Sequence, residues 1–185
     1  MNVNINFSLD EVFLDIETLD NKPTSPIIEM TILSNQGEPF FDELICPGDN
    51  FNLSNYKINV LGYNKEKLAN AKRLSEYIPG IKEIIKDKAV IAYGQSDLNK
   101  LPWIKKHAIY LDCCQRFSDR YGIYNAYHGN HTWVSLENAC SQIGYVPIGI
   151  PHRSKTDAES CRNVWQHLDK IEADFQMPFE LLESK

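Results

Sequence analysis

Val12-Phe13-Leu14-Asp15-Ile16-Glu17-Thr18 has the apolar start of a buried β-strand, yet two carboxylates interrupt it. Residues i and i+2 of a strand leave the same face, so Asp15 and Glu17 project together. Two carboxylates about 4 Å apart repel by roughly 4 kcal/mol at an effective dielectric near 20. Such a strand is expected to end at a charged site rather than in the middle of a core.

Outward from this strand, Ile27–Ser34 and Pro39–Pro47 read as two more, joined as a hairpin through Asn35-Gln36-Gly37. Gly48–Tyr63 is polar and Asn-rich and reads as a loop. A short helix opens at Asn64–Leu68 with Asn64 as its cap. A second helix is predicted over Tyr77–Asp87, where Ile78, Ile81, Ile84 and Ile85 fall at helical spacing. Ala89–Tyr93 is a buried strand, and a helix is expected from Asp97 to about His107, with Pro102 near its first turn or kinking it. Ala108–Asp112 gives the last strand. Leu136, Ala139, Cys140 and Ile143 then share a helical face that Gly144 closes. Thr156 and Glu159 suggest a capping box for a final helix carrying Cys161, Val164, Trp165 and Leu168 on one side. This order predicts an α/β domain: a mixed sheet with helices against it.

The 185 residues are expected to form a single domain, with a core over about 10–172. Hydrophobic residues at 43% and charged residues at 24% exclude a disordered chain. A formal charge of -6 removes the footprint of a generic nucleic-acid binder, but not of an enzyme that touches nucleic acid transiently. No signal peptide is visible, and no apolar run approaches the roughly 20 residues of a membrane span. Five cysteines without a CxxC pair fit reduced thiols in the cytoplasm.

Two further acids stand at chosen places. Asp97 follows the buried strand, and Asp157 lies in the first turn of the last helix, on its core-facing side. Four converging carboxylates exceed what one shared proton relieves, and they match the oxygen-rich ligation of Mg²⁺ or Mn²⁺. Two such ions about 3.5–4 Å apart support phosphodiester hydrolysis. His152, five residues before Asp157, is the candidate general base on the loop ahead of the helix. Arg153 and Lys155 flank it as candidates for phosphate contacts. Each acid alone is an ordinary strand-end or capping charge; only the ordered set points to a site. His128 and His131 lack a third ligand nearby and read as loop residues. Tyr121, Tyr124, Tyr127 and Trp133 read as a loop packed on the last helices, with base stacking as the alternative.

Asp15-Ile16-Glu17-Thr18, Asp97 behind its strand and His152-Arg153-Ser154-Lys155-Thr156-Asp157-Ala158-Glu159 together resemble the three motifs of the DEDDh exonucleases. This superfamily includes DnaQ-type proofreading subunits, ribonuclease T and oligoribonuclease. The resemblance runs from about Val12 to Leu168 and takes in Trp133–Ala139. It implies a ribonuclease H-like mixed five-stranded sheet and 3′→5′ release of nucleotides from single-stranded ends of RNA or DNA, with two Mg²⁺ or Mn²⁺ ions. It also implies Asp15, Glu17 and Asp157 as direct ligands, Asp97 as the holder of the second ion, and His152 as the base. Thr18 and Leu19 would receive the substrate's 3′ end. The middle motif, Ala92-Tyr93-Gly94-Gln95-Ser96-Asp97, departs from the usual A-H-N-A-x-F-D by one residue and lacks its Asn and Phe. It is closer to the W-G-x-x-D form of the branch with histone-mRNA and small-RNA exonucleases, which leans toward RNA. Two other functions fit the same residues: a non-catalytic binding or adaptor module on this fold, and an endonuclease. A second copy of the chain, or a polymerase or other protein, is left open as a partner.

Overall fold

β1 (Glu11–Thr18) runs through the centre of a five-stranded sheet in the computed structural model, which describes residues 9–176. The strand order is β3 (Pro39–Leu44), β2 (Ile27–Ser34), β1, β4 (Ala89–Ala92), β5 (Ile109–Asp112). The β3–β2 and β2–β1 pairs are antiparallel, whereas β1–β4 and β4–β5 are parallel. This is the expected mixed sheet. The β2–β3 hairpin closes through the Ser34 amide on the Glu38 carbonyl (2.8 Å), with Gly37 at φ 87°.

Strand alternation divides the core in two. Val12, Leu14 and Ile16 pack with Ile81 and Ile85 of a helix and with Leu98, Leu101 and Ile104. Phe13 of β1, Leu33 and Ile91 face the other way, onto Ala158, Cys161, Val164 and Leu168 of the last helix. Because both faces are covered at the inner strands, β2 and β4 read as nearly continuous apolar runs.

Seven helices complete the described residues: α1 (Asn55–Asn59), α2 (Lys65–Asn70), α3 (Leu74–Ile85), α4 (Ser96–Lys100), α5 (Cys113–Tyr121), α6 (Leu136–Gln142) and α7 (Ser154–Gln176). Four sequence expectations are corrected. α3 starts at Leu74 rather than Tyr77, because the Glu76 carboxylate accepts the Arg73 amide (2.9 Å) and nucleates the turn earlier. The helix from Asp97 stops at Lys100, since Pro102 has no N–H to continue it, and a short 3₁₀ turn follows at Ile104–Lys106. α7 starts at Ser154, with the Arg153 carbonyl accepting the Asp157 amide (3.1 Å), so Thr156 lies inside the helix and caps nothing. The Gly48–Tyr63 stretch is no plain loop. It holds α1, capped by Ser54, and buries Phe51, Leu61 and Tyr63 against Ile28 and Leu68. Those apolar residues are too widely spaced to show a period.

Between α5 and α6 a two-stranded ribbon, β6 (Tyr124–Asn125) and β7 (Asn130–His131), stands outside the sheet. α6 ends as its sequence suggests, with Gly144 at φ 73° and the Tyr145 amide on the Cys140 carbonyl (2.9 Å). All five cysteines are free, and four are buried. Among the described residues, no helix is long and apolar enough to cross a membrane.

Candidate active site

The C-terminal half of β1 delivers its two acids to the sheet face that α7 covers. Asp15 lies opposite Thr31 of β2 and Glu17 opposite Glu29, and the register shifts between Glu17 and Thr18. Asp15 retains some exposed surface as a residue, yet its Oδ2 is buried and has no hydrogen-bond partner among the described residues. Burial, then the charges of Asp97, Asp157 and Glu17, push its carboxyl well above the usual carboxylate range.

Asp97 enters from the first turn of α4 and is buried at 8% exposure. Burial raises it to about 7; the Ser96 hydroxyl (3.1 Å) pulls down, and Asp157 pushes up. Burial likewise raises Glu17 to about 7, against the pull of Lys57 at 3.6 Å. Asp157, in the first turn of α7, is raised by burial and partly relieved by His152. The four acids expected to converge therefore influence one another at one end of the sheet.

His152 joins them from the loop before α7. Its Nδ1 lies 3.9 Å from Asp157 Oδ2, and its side chain is 67% exposed. One ligand atom each from Glu17, His152 and Asp157 falls within 4.8 Å of the other two. His152 sits at φ 62°, an uncommon conformation for a residue with a side chain. Two contacts hold the loop in that shape. Gly149 presses on α7 so closely that an added Cβ would lie 2.4 Å from Thr156 Oγ1. Arg153 is anchored on Glu29 directly after it.

That anchor is a second charged cluster, which sequence reasoning missed. Arg153 Nε and Nη2 reach both oxygens of Glu29 at 2.5–3.0 Å, and Nη1 donates to the Leu61 carbonyl (3.1 Å). The Tyr63 hydroxyl (2.6 Å) and the Ser154 amide (3.1 Å) also donate to Glu29. Burial alone would raise Glu29, but these donors hold it below its ordinary value. The one trace of it in the sequence is Glu29 itself, a lone charge in an apolar strand. Lys57 was also missed. Its side chain is 12% exposed, beside Glu17 and 5.3 Å from the centre of the Tyr63 ring.

Two clefts meet at His152. One, of about 440 Å³, is lined by Glu17, Leu19, Ser54, Tyr56, Lys57 and His152. The other, of about 520 Å³ and largely apolar, runs past Leu136, Cys140, Val146, Pro147 and Asp157. Leu19 thus lines the first cleft, while the Thr18 hydroxyl turns back to the Asp20 carbonyl (2.8 Å). The Arg153 guanidinium is held by Glu29. Lys155 stands half-exposed, 3.6 Å from Asp42. Among the described residues, His128 and His131 fall in no metal-ligating group; His131 lies 3.3 Å from Asp119.

A divalent cation suits this donor set. A buried carboxylate oxygen has no partner among the described residues, three further acids surround it, and hard cations take oxygen ligands.

The chain matches the model of the RNase_T exonuclease family over residues 12–164. No curated protein sequence matches it. Its fold is similar to that of cell-death related nuclease 4 (CRN-4), with a TM-score of 0.65 and 13% identity, covering 87% of this chain and 64% of that one. It is also similar to the nuclease domain of 3′hExo, a DEDDh family member bound to rAMP (TM-score 0.65, 14% identity, 89% and 94% covered). A third similar fold is that of S. pombe Pop2p in its Mg²⁺- and Mn²⁺-bound form (TM-score 0.61, 11% identity, 92% and 86% covered). The chain spans less than two thirds of the length of CRN-4. The mixed sheet flanked by helices is the ribonuclease H-like fold of these nucleases, and the chain belongs to the exonuclease family of the DnaQ-like superfamily.

Proposed function

We propose that this protein is a DEDDh-type exonuclease, removing nucleotides in the 3′→5′ direction from single-stranded RNA or DNA with the aid of two divalent cations, Mg²⁺ or Mn²⁺. One observation carries the reading: the buried, partnerless Asp15 oxygen among Glu17, Asp97 and Asp157, with an exposed imidazole beside them. A binding module gains nothing from such an arrangement, because unpaired buried carboxylates only destabilise it. The family match, and similar folds bound to rAMP or to Mg²⁺ and Mn²⁺, support the same reading.

Asp15, Glu17 and Asp157 would hold the cations, with Asp97 completing the set. Bound there, the cations would supply positive charge to the phosphate and make water more acidic. His152 takes the proton of the attacking water. Its Nδ1 lies toward Asp157 Oδ2 at 3.9 Å, which leaves Nε2 as the accepting nitrogen. Leu19 lines the cleft in which the terminal nucleotide would lie, with Thr18 shaping the turn behind it. Lys155, half-exposed, is the better placed of the two flanking cations to reach a phosphate, since Arg153 secures the loop instead. The free thiols suit a reducing compartment such as the cytoplasm.

The test is a 5′-labelled single strand with the purified protein and Mn²⁺. A ladder that shortens from the 3′ end and disappears with EDTA is expected. Internal cuts on a circular single strand would point to an endonuclease, and an intact strand to a binding module.

A further inference from the structure

The ribbon of β6 and β7 holds large aromatic side chains in solvent, contrary to the expectation that they pack on the last helices. Only Tyr121 does so, stacked on Phe117 at 4.7 Å and bonded to His167 (2.9 Å). Tyr124, Tyr127 and Trp133 are 61%, 90% and 71% exposed.

Trp133 is nonetheless fixed in place. Its neighbour Val134 accepts a hydrogen bond from the Tyr93 hydroxyl (2.7 Å) and donates its amide to Ser118 Oγ (3.3 Å). The indole lies against Gly94, where an added Cβ would come within 3.2 Å of its Cζ2. Gly94 has φ 104°, and its carbonyl is held by the Tyr110 hydroxyl. That glycine opens the short turn leading into Asp97. One edge of the indole is therefore seated beside the turn that delivers a site carboxylate, and most of the ring faces water.

The ribbon continues outward from there. Tyr124 pairs with His131, and the Thr132 amide on the Ile123 carbonyl (2.8 Å) extends the ladder toward Trp133. The two-residue period of an extended chain puts Trp133 on the side of His131 and Tyr124, while Tyr127 stands at the turn beyond. Exposed aromatics leading away from a cleft mark a contact surface. The chain's formal charge of -6 gives little general attraction for a polyanion. Base faces carry no net charge and stack on aromatic rings whatever their sequence.

We propose that Trp133, Tyr124 and Tyr127 form a stacking platform for the bases of the single-stranded substrate. Trp133 takes the base nearest the Asp97 side of the site, and the two tyrosines take bases further along the strand. The inference rests on the exonuclease reading above and deepens it, because such a platform accepts RNA and DNA with little sequence preference.

The test is fluorescence anisotropy with strands of about 12 nucleotides, blocked by 3′-terminal phosphorothioates, in Mn²⁺. Trp133→Ala is expected to weaken binding about tenfold, Tyr127→Ala less, and Trp133→Phe to restore most of it. Melting temperature and the salt dependence of binding should not change, since no packed core and no cation are removed. An abasic residue moved along the strand should find one position that weakens wild-type binding and adds no loss to Trp133→Ala. If Trp133→Ala binds every strand as wild type does while still digesting an unblocked one, the platform is wrong and the exonuclease reading stands. If no strand binds and none is digested, both fall together.

Discussion

Glu17 and Glu29 face each other across β1 and β2, yet their carboxyls are shifted in opposite directions. Glu29 accepts from Arg153, Tyr63 and Ser154 and stays ionised below its ordinary value. Glu17 has one lysine at 3.6 Å and is raised to about 7; Asp15 beside it has a buried oxygen with no hydrogen-bond partner among the described residues. Both clusters lie on one sheet face, so burial does not separate them. Donors do. The chain supplies a full set of hydrogen bonds to the acid that holds the loop, and withholds them from the acids that would hold a cation.

The sharpest way to break this contrast is at the unsatisfied cluster. His152→Ala should lower the rate of 3′-end hydrolysis by about 10²–10⁴-fold, and Asp15→Asn by at least as much. Asp15→Asn should leave the metal-free protein as stable as wild type or more so, because it removes a buried repulsion. A rate within about threefold of wild type for either variant would remove that residue from the mechanism.

The satisfied cluster should answer in the other coin, stability. Glu29→Gln or Arg153→Met is expected to lower unfolding free energy by about 3 kcal/mol in urea titrations, since each leaves a buried partner unpaired. Activity should fall as well, because Arg153 fixes the backbone next to His152. A variant that lost activity but no stability would mean that Arg153 acts on substrate.

pH separates the two regions more gently. Glu17 and Asp97 have folded values of about 7, above their ordinary values of 4.5 and 3.8. Their ionisation therefore costs stability as pH rises through that interval. In EDTA, melting temperature should rise as pH falls from about 8 to about 5, and Mn²⁺ should flatten that slope. Glu29 has the opposite sign, with its folded value depressed. Its contribution is present above the ordinary glutamate value and is lost as pH falls through the folded one. A flat profile in EDTA would contradict the unsatisfied state of the site.

The smallest effect belongs to Lys57, the one cation placed against Glu17 among the described residues. It partly fills the role of a metal, so Lys57→Met should tighten Mn²⁺ binding by roughly two- to fivefold in calorimetry. Weaker binding would make Lys57 a support of the site rather than a competitor.

Much of the site was legible because its residues sit where local rules disfavour them. Asp15 and Glu17 interrupt an apolar strand, and Asp157 opens a helix whose core stripe is plain, with His152 on the loop ahead of it. The sheet's strands were legible for a related reason, since covered faces demand continuous apolar runs. α1, the buried Phe51–Leu61–Tyr63 cluster and the Glu29–Arg153 pair were not, because their partners come from distant segments and leave no periodic trace. The capping box at Thr156 misled because the same residues satisfy a local pattern two positions inside the true helix start.

By itself the sequence determined the strands of the main sheet, the acids that share one strand face, and the motif order that names the family. Those depend on spacing along the chain, and spacing is written in it. Only the tertiary structure decided which carboxylate receives donors and which is left bare, that Arg153 holds a loop, and that Trp133 faces water beside Asp97's turn. Those outcomes depend on which groups meet across the sheet, and a single strand carries no record of its neighbours.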